Sequence, residues 1–157
     1  MSDKEMKKVA VLMGSTSDEP VMKKCLELLD YFGLPHEVHV ISAHRNPEKI
    51  ERFTSEIEAK NIGVIIAGAG MAAHLPGVVA SRTTVPVIGV PLLGPALAGQ
   101  DALYSMVQMP SGIPVATVSI GTAGAKNAAV LAVEILAVGY PELKEKLLAF
   151  RNKGSKL

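Results

Sequence analysis

The chain has 157 residues and a formal net charge of +1, with acids and bases nearly balanced; that length suits one domain around one core, and the balance argues against a broad nucleic-acid footprint. Cys25 is the only cysteine, which excludes an internal disulfide and a cysteine metal cluster. No run approaches the ~18 apolar residues of a membrane span and the first residues do not read as a secretory leader, so no membrane association is expected and the cytoplasm is the default location.

Hydrophobic residues make up 48% of the chain, aromatics only 4%, and there is no Trp. So apolar a small chain is expected to bury part of its surface between subunits.

Five β-branched runs predict strands at Val9–Met13, Glu37–Ile41, Gly63–Ala67, Val85–Val90 and Pro114–Ile120. Most are near-continuously apolar, as strands covered on both faces are. Helical spacing lies between them. Val21, Met22, Cys25, Leu26, Leu29 and Phe32 follow Pro20; Ile50, Phe53 and Ile57 follow Pro47. Alanine-rich helices are expected at Ala72–Ser81 and Ala125–Val138, a further helix at Gln100–Val107, and a charged amphipathic one at Tyr140–Asn152. Pro91–Gly99 is punctuated as a loop. Strands alternating with helices predict a three-layer α/β/α fold on a parallel sheet, occupying residues 1–157 as one domain. In such sheets ligands bind beyond the carboxyl ends of the strands.

The first strand ends in Gly14-Ser15-Thr16-Ser17-Asp18-Glu19-Pro20. Hydroxyls entering a helix N-terminus suit an anion, and Ser15 and Ser17 can donate to phosphate oxygens. Asp18 suits ribose hydroxyls. Plain capping by Ser17 or Asp18 ahead of Pro20 explains the same residues. The segment is not a P-loop, because no Gly-Lys-Ser/Thr follows. The second strand ends in Ser42-Ala43-His44-Arg45-Asn46-Pro47. The Arg45 fork matches phosphate, and the imidazole of His44 is the side chain suited to both giving and taking a proton near neutral pH. A cap with an exposed His and Arg is the alternative.

The third strand runs into Ala67-Gly68-Ala69-Gly70-Met71-Ala72-Ala73-His74-Leu75-Pro76-Gly77. Gly68 to Ala73 matches the dinucleotide fingerprint G-x-G-x-x-A, but that site needs an acid ~20 residues later. No acid occurs from Ala69 to Gln100. The segment is therefore expected to be a small-residue loop against which a flat ligand lies. His74 either lines that site or bonds to backbone within the loop. Elsewhere, Cys25, Met106 and Met109 read as packing, His36 and His39 as surface, and the charges between Glu142 and Lys146 as a solvated face. No His, Asp and Glu cluster has metal-ligand spacing, so neither a metal nor an organic cofactor is expected.

Gly14-Ser-Thr-Ser-Asp18, Ser42-Ala-His-Arg45, Ala67-Gly-Ala-Gly70 with Ala72-Ala-His-Leu-Pro-Gly77, and Val107-Gln-Met-Pro110 with Gly112-Ile-Pro114 stand in order at successive strand ends. In this the chain resembles the PurE family from about Val9 to Leu148. The resemblance implies a flavodoxin-like fold, a homo-octamer with sites shared between subunits, and a ribonucleotide substrate of purine biosynthesis. It implies that Ser15, Ser42 and Arg45 hold the phosphate, Asp18 the ribose, and Ala69, Gly70, His74 and Leu75 the imidazole, with His44 as acid/base. It favours the branch that moves a carboxyl from the exocyclic nitrogen to ring carbon 4 over the branch that adds carbon dioxide, since the latter usually has Lys at the Arg45 position and lacks the histidine loop. Met71 stands where the family often has Gly.

Overall fold

The computed structural model describes residues 5–156. The elements are β1 (Lys8–Met13), a 3-10 turn (Thr16–Asp18), α1 (Glu19–Phe32), β2 (His36–Val40), α2 (Pro47–Ser55), β3 (Ile62–Gly70), α3 (Leu75–Ala80), β4 (Val87–Leu92), α4 (Gln100–Val107), β5 (Ala116–Thr117), α5 (Thr122–Ala137) and α6 (Pro141–Asn152). The five strands form one sheet in the order β2-β1-β3-β4-β5, every pairing parallel. This is the flavodoxin-like order, and its switch point lies between β1 and β3.

The period of two along a strand divides the core into two layers. Val9, Val11, Met13, Val64, Ile66, Ile88 and Val90 point to α1, α5 and α6, where they meet Met22, Cys25, Leu29, Phe32, Ala129, Val133 and Leu143. Ala10, Leu12, Ile65, Ala67 and Ala69 point the other way, to Ile50, Phe53, Val79, Ala102 and Met106. The alanines of α5 let that helix lie close to the sheet, and all of Ala125, Ala128, Ala129 and Ala132 are fully buried. Burial pushes the Cys25 thiol up to about 12, so the group packs as an inert apolar side chain. Helix α1 ends at Gly33, whose φ of 67° is the left-handed cap that glycine adopts freely. Lys146 of α6 donates to the carbonyl of Phe32 at 2.7 Å, so one charge of that otherwise solvated face is a helix cap.

Several boundaries differ from the expectation. The third strand runs on to Gly70, and Gly68, Ala69 and Gly70 pair with Val90, Pro91 and Leu92 of β4. The supposed small-residue loop is therefore sheet as far as Gly70. Gly68 lacks a side chain because a Cβ there would stand 2.5 Å from the Met22 sulfur; it serves the packing of α1, not a ligand. The fourth strand likewise takes Pro91 and Leu92 out of the expected loop. The fifth strand keeps only Ala116–Thr117 of the expected Pro114–Ile120, although Val118 and Gly121 still donate to the carbonyls of Gly89 and Pro91 at 3.1 and 2.8 Å. Helix α3 begins at Leu75, not Ala72, because Met71 sits at φ 57° and the chain turns before Pro76 can start a helix. Ile57 lies beyond the end of α2 yet is buried. His36 and His39 are half-buried; His39 accompanies Glu37 at 2.8 Å and packs on Phe53.

No helix among the described residues is long and apolar enough to cross a membrane. Val38, Val40, Met71, Leu93, Leu97, Tyr104 and Val107 are exposed.

Candidate active site

The carboxyl ends of β1, β2, β3 and β4 open into one cavity of about 500 Å³ beside the switch point, within the size range of small-ligand sites. All ten site residues expected from the sequence line it: Ser15, Ser17, Asp18, Ser42, His44, Arg45, Ala69, Gly70, His74 and Leu75.

After β1 the chain turns through a capping box. Ser15 Oγ accepts from the Ser17 amide at 3.2 Å, and Asp18 Oδ2 accepts from the Ser15 amide at 3.0 Å. The Ser17 hydroxyl adds a 2.9 Å bond to Ser15 Oγ. Capping thus exists: Ser15 caps the 3-10 turn with Asp18 completing the box, and Asp18 holds the N-cap position of α1, as expected, without a side-chain bond into that helix. The cap and the ligand-facing residues are the same groups. Burial raises the Asp18 carboxyl above its ordinary value, and the Ser15 and Gly14 amides oppose that rise.

After β2, Ser42 Oγ accepts from the Arg45 amide at 3.2 Å, which shapes the turn presenting Ala43, His44 and Arg45 to the cavity. Among the described residues no carboxylate lies within ion-pair distance of Arg45, so its guanidinium is available to an anion. The His44 Nε2 lies 2.7 Å from His74 Nδ1, with ring centroids 4.7 Å apart and planes at 67°. Of the two alternatives for His74, the structure therefore has it lining the cavity, bonded to a side chain rather than to loop backbone. Two imidazoles joined this way hold one proton on the shared axis, because one nitrogen must donate and the other accept. The ring that accepts carries its own N–H on its other nitrogen when neutral, and the donating ring's other nitrogen is left as an acceptor.

Behind His74, Ala69 and Leu75 form an apolar floor and are buried, whereas Met71 is exposed. The φ of 57° at Met71 explains why a glycine suits that position. Sequence reasoning missed the fourth wall, Leu93, Gly94 and Pro95; Met71 and Ala72, part of the segment expected to lie against the ligand, line the cavity too. The only signal for that wall was the Pro and Gly punctuation of the loop after β4. Among the described residues no group of three or more His, Cys, Asp or Glu is arranged to hold a metal.

The sequence model of the AIR carboxylase family matches residues 8–156. The chain is 58% identical over 147 residues to the N5-carboxyaminoimidazole ribonucleotide mutase of Pyrococcus abyssi, covering 94% of this chain and 83% of that one. It is 52% identical over 145 residues to the mutase of the same name from Escherichia coli, covering 92% and 86%. The crystal structure of Treponema denticola PurE superposes with a TM-score of 0.86 at 31% identity, over 95% of this chain and 92% of that one. A cavity built from four strand ends, with paired imidazoles at its mouth, therefore sits in a chain that belongs to the AIR carboxylase (PurE) family.

Proposed function

We propose that this chain is an N5-carboxyaminoimidazole ribonucleotide mutase of purine biosynthesis, acting as one catalytic domain. The identity of 50–58% to relatives of that name over most of the chain supports it. The site observation that carries the mechanism is the His44–His74 pair, standing beside the hydroxyls of Ser15 and Ser42 and beside Arg45, which has no carboxylate partner among the described residues.

The substrate carries its carboxyl on an exocyclic amine. Protonation of that nitrogen lets the carboxyl leave as carbon dioxide, and the ring left behind is enamine-like. Its carbon 4 attacks the carbon dioxide, and a base then takes the proton from carbon 4 to restore aromaticity. One group gives a proton and later takes one back, so His44 suffices with no net proton change and no further cofactor. His74 holds the His44 ring by their shared bond and flanks the imidazole with Ala69, Gly70 and Leu75. Ser15, Ser17, Ser42 and Arg45 bind the phosphate, far from the reacting bond, and such anchoring is worth on the order of 7 kcal/mol at best-aligned sites. The apolar floor confines carbon dioxide between the two steps.

The deciding experiment offers the N-carboxylated nucleotide, in carbon dioxide-depleted buffer without ATP or metal, in one cuvette and the uncarboxylated nucleotide with bicarbonate in another. Conversion of the first alone is the expected result. Turnover only in the second makes the enzyme a carboxylase, the reaction the family description names. Binding without turnover in either leaves a phosphosugar-binding module.

Asp18 separates capping from binding. A carboxyl whose pKa rises on folding favours the fold below its ordinary value and loses that contribution as pH climbs through the raised one. At neutral pH its ionised form is thus a cost to the fold, retained for the ribose hydroxyls it accepts. Asp18→Asn keeps an acceptor for the Ser15 amide and removes the charge. The expected result is an unchanged or higher melting temperature with nucleotide affinity ~10-fold lower, about the loss of one charge-assisted hydrogen bond. Melting curves and titration calorimetry check it; lost stability with normal affinity would reduce Asp18 to a cap.

The exposed Val38, Val40, Tyr104 and Val107 support assembly, which we take to be the homo-octamer of the family. Light scattering is expected to give a mass of eight chains, and a monomeric mass removes this part of the reading. The enzyme works in the cytoplasm, where purine precursors are made.

A further inference from the structure

The wall formed by Leu93, Gly94 and Pro95 is left incomplete by its own hydrogen bonding. In the first turn of α4, Asp101 buries Oδ1 with no hydrogen-bond partner among the described residues. A buried acceptor left without a donor is costly to a fold. A free donor stands beside the other oxygen of the same carboxylate. Gly94 is half-buried, and among the described residues its amide donates to no acceptor. Asp101 Oδ2 stands 3.9 Å from the point where a Gly94 Cβ would be. Nothing intervenes at that point, because the residue is glycine. The two groups differ in freedom. Asp101 belongs to a helix held by the Leu103 amide on the Gly99 carbonyl at 2.9 Å and by the Ser105 hydroxyl on its own carbonyl at 2.7 Å. Gly94 belongs to an irregular segment that ends in Ala98 at φ 51°, a left-handed conformation costly to alanine. From Gly94 to Ala98, among the described residues, no amide donates a backbone hydrogen bond, so the segment is the less constrained of the two.

We propose that Asp101 is a positioning residue for the substrate cavity: when the nucleotide is bound, its carboxylate accepts the Gly94 amide and draws Leu93, Gly94 and Pro95 onto the ligand. The Met71 side chain, whose Cγ lies 3.3 Å from the same Cβ point, follows the segment and closes the apolar side of the pocket. Asp101 touches no substrate atom. It acts through backbone, which is why the motifs at the other three strand ends do not include it. The proposal rests on the reading of this cavity as the nucleotide site.

Two variants test it independently. Asp101→Asn weakens the acceptor while keeping its shape. Gly94→Ala leaves the carboxylate untouched but puts a methyl group in the path of approach; its contacts at the present position, 3.3 Å to the flexible Met71 Cγ and 3.9 Å to Asp101 Oδ2, allow the protein to fold. Each is expected to raise KM for the N-carboxylated nucleotide ~10-fold, the worth of one charge-assisted bond, with kcat changed much less. The double variant is expected to be no worse than the poorer single one, because both remove the same contact. Asp101→Asn is also expected to melt no lower than the parent protein in the absence of nucleotide, as a residue already bonded in the free protein would not. Hydrogen exchange supplies the direct readout. In the parent enzyme the product nucleotide, 4-carboxy-5-aminoimidazole ribonucleotide, slows exchange in a peptide spanning residues 93–98, and in both variants that protection is lost while protection around Ser15 and Arg45 remains. Normal KM in either variant, additive effects in the double, or unchanged protection of 93–98 overturns the role of Asp101. An inactive parent enzyme that binds no nucleotide overturns the underlying function instead, so the two failures are told apart.

Discussion

Asparagine in place of His44 leaves nucleotide affinity nearly intact and lowers turnover at least ~100-fold, the low end for loss of a general acid/base. The affinity survives because Ser15 lies on the turn after β1, and Ser42 and Arg45, although they flank His44 on its own turn, make bonds that do not involve the imidazole. The turnover falls because both proton movements of the carboxyl shift pass through one side chain. Asn is the informative replacement. Its amide stops short of the Nε2 position, which now lies 2.7 Å from His74 Nδ1, so Asn removes both the proton carrier and the bond to His74 while staying polar and small enough to leave the phosphate-binding groups in place. Titration calorimetry with product nucleotide measures the affinity, and single-turnover kinetics measures the chemical step apart from release. Turnover that survives would pass the acid/base role to His74, the other imidazole on the same axis, and His74→Asn would then carry the large loss.

Alanine at Gly124 is expected to destabilise the protein by at least ~3 kcal/mol, which for a chain of this size lowers the melting temperature by roughly 10 °C. Its Cβ would fall on the Ser119 carbonyl oxygen, well inside contact distance, with Val118 Cγ2 beside it at 3.4 Å. That backbone cannot step aside. The Val118 amide is held to Gly89 at 3.1 Å, the Gly121 amide to Pro91 at 2.8 Å, and the Ala125 amide to Gly121 at 2.9 Å. Moving Ser119 therefore breaks either the β4 edge or the start of α5. Gly139→Ala is the control: its Cβ would have only the Leu136 carbonyl near it, at 3.9 Å, and a change within ~0.5 kcal/mol is expected. Thermal and denaturant melts of both variants decide the matter, and equal melting temperatures would mean that the 118–121 segment yields.

Local pattern was sufficient for the order of strands and helices, the parallel sheet, and the strand ends that carry Ser15, Ser17, Asp18, Ser42, His44 and Arg45; Ala69, Gly70 and Leu75 were singled out only by the family resemblance. The reason is that period-two apolar runs and period-3.6 stripes are read off neighbours a few residues apart, and an open parallel sheet places every strand's carboxyl end on one edge. His44 and Ser42 could be assigned to a ligand-facing edge without knowing what lies opposite them. What needed the folded chain was each feature that depends on a distant partner. Gly68 looks like part of a small-residue loop against a flat ligand until Met22, far along the chain, is seen to fill the space above it. The strand that was expected to end at Ala67 continues to Gly70 because β4 offers a partner as far as Leu92. Pro114–Ile120 has strand composition, but only Ala116 and Thr117 pair with β4, at Ile88 and Gly89, and the chain then leaves the ladder with single hydrogen bonds to Gly89 and Pro91. His74 had two equally open fates in the sequence, and a residue thirty positions earlier decided between them. Asp101 carried no motif at all; its carboxylate, one oxygen orphaned and the other beside Gly94, meets that glycine only where β4, its following segment and α4 are folded together.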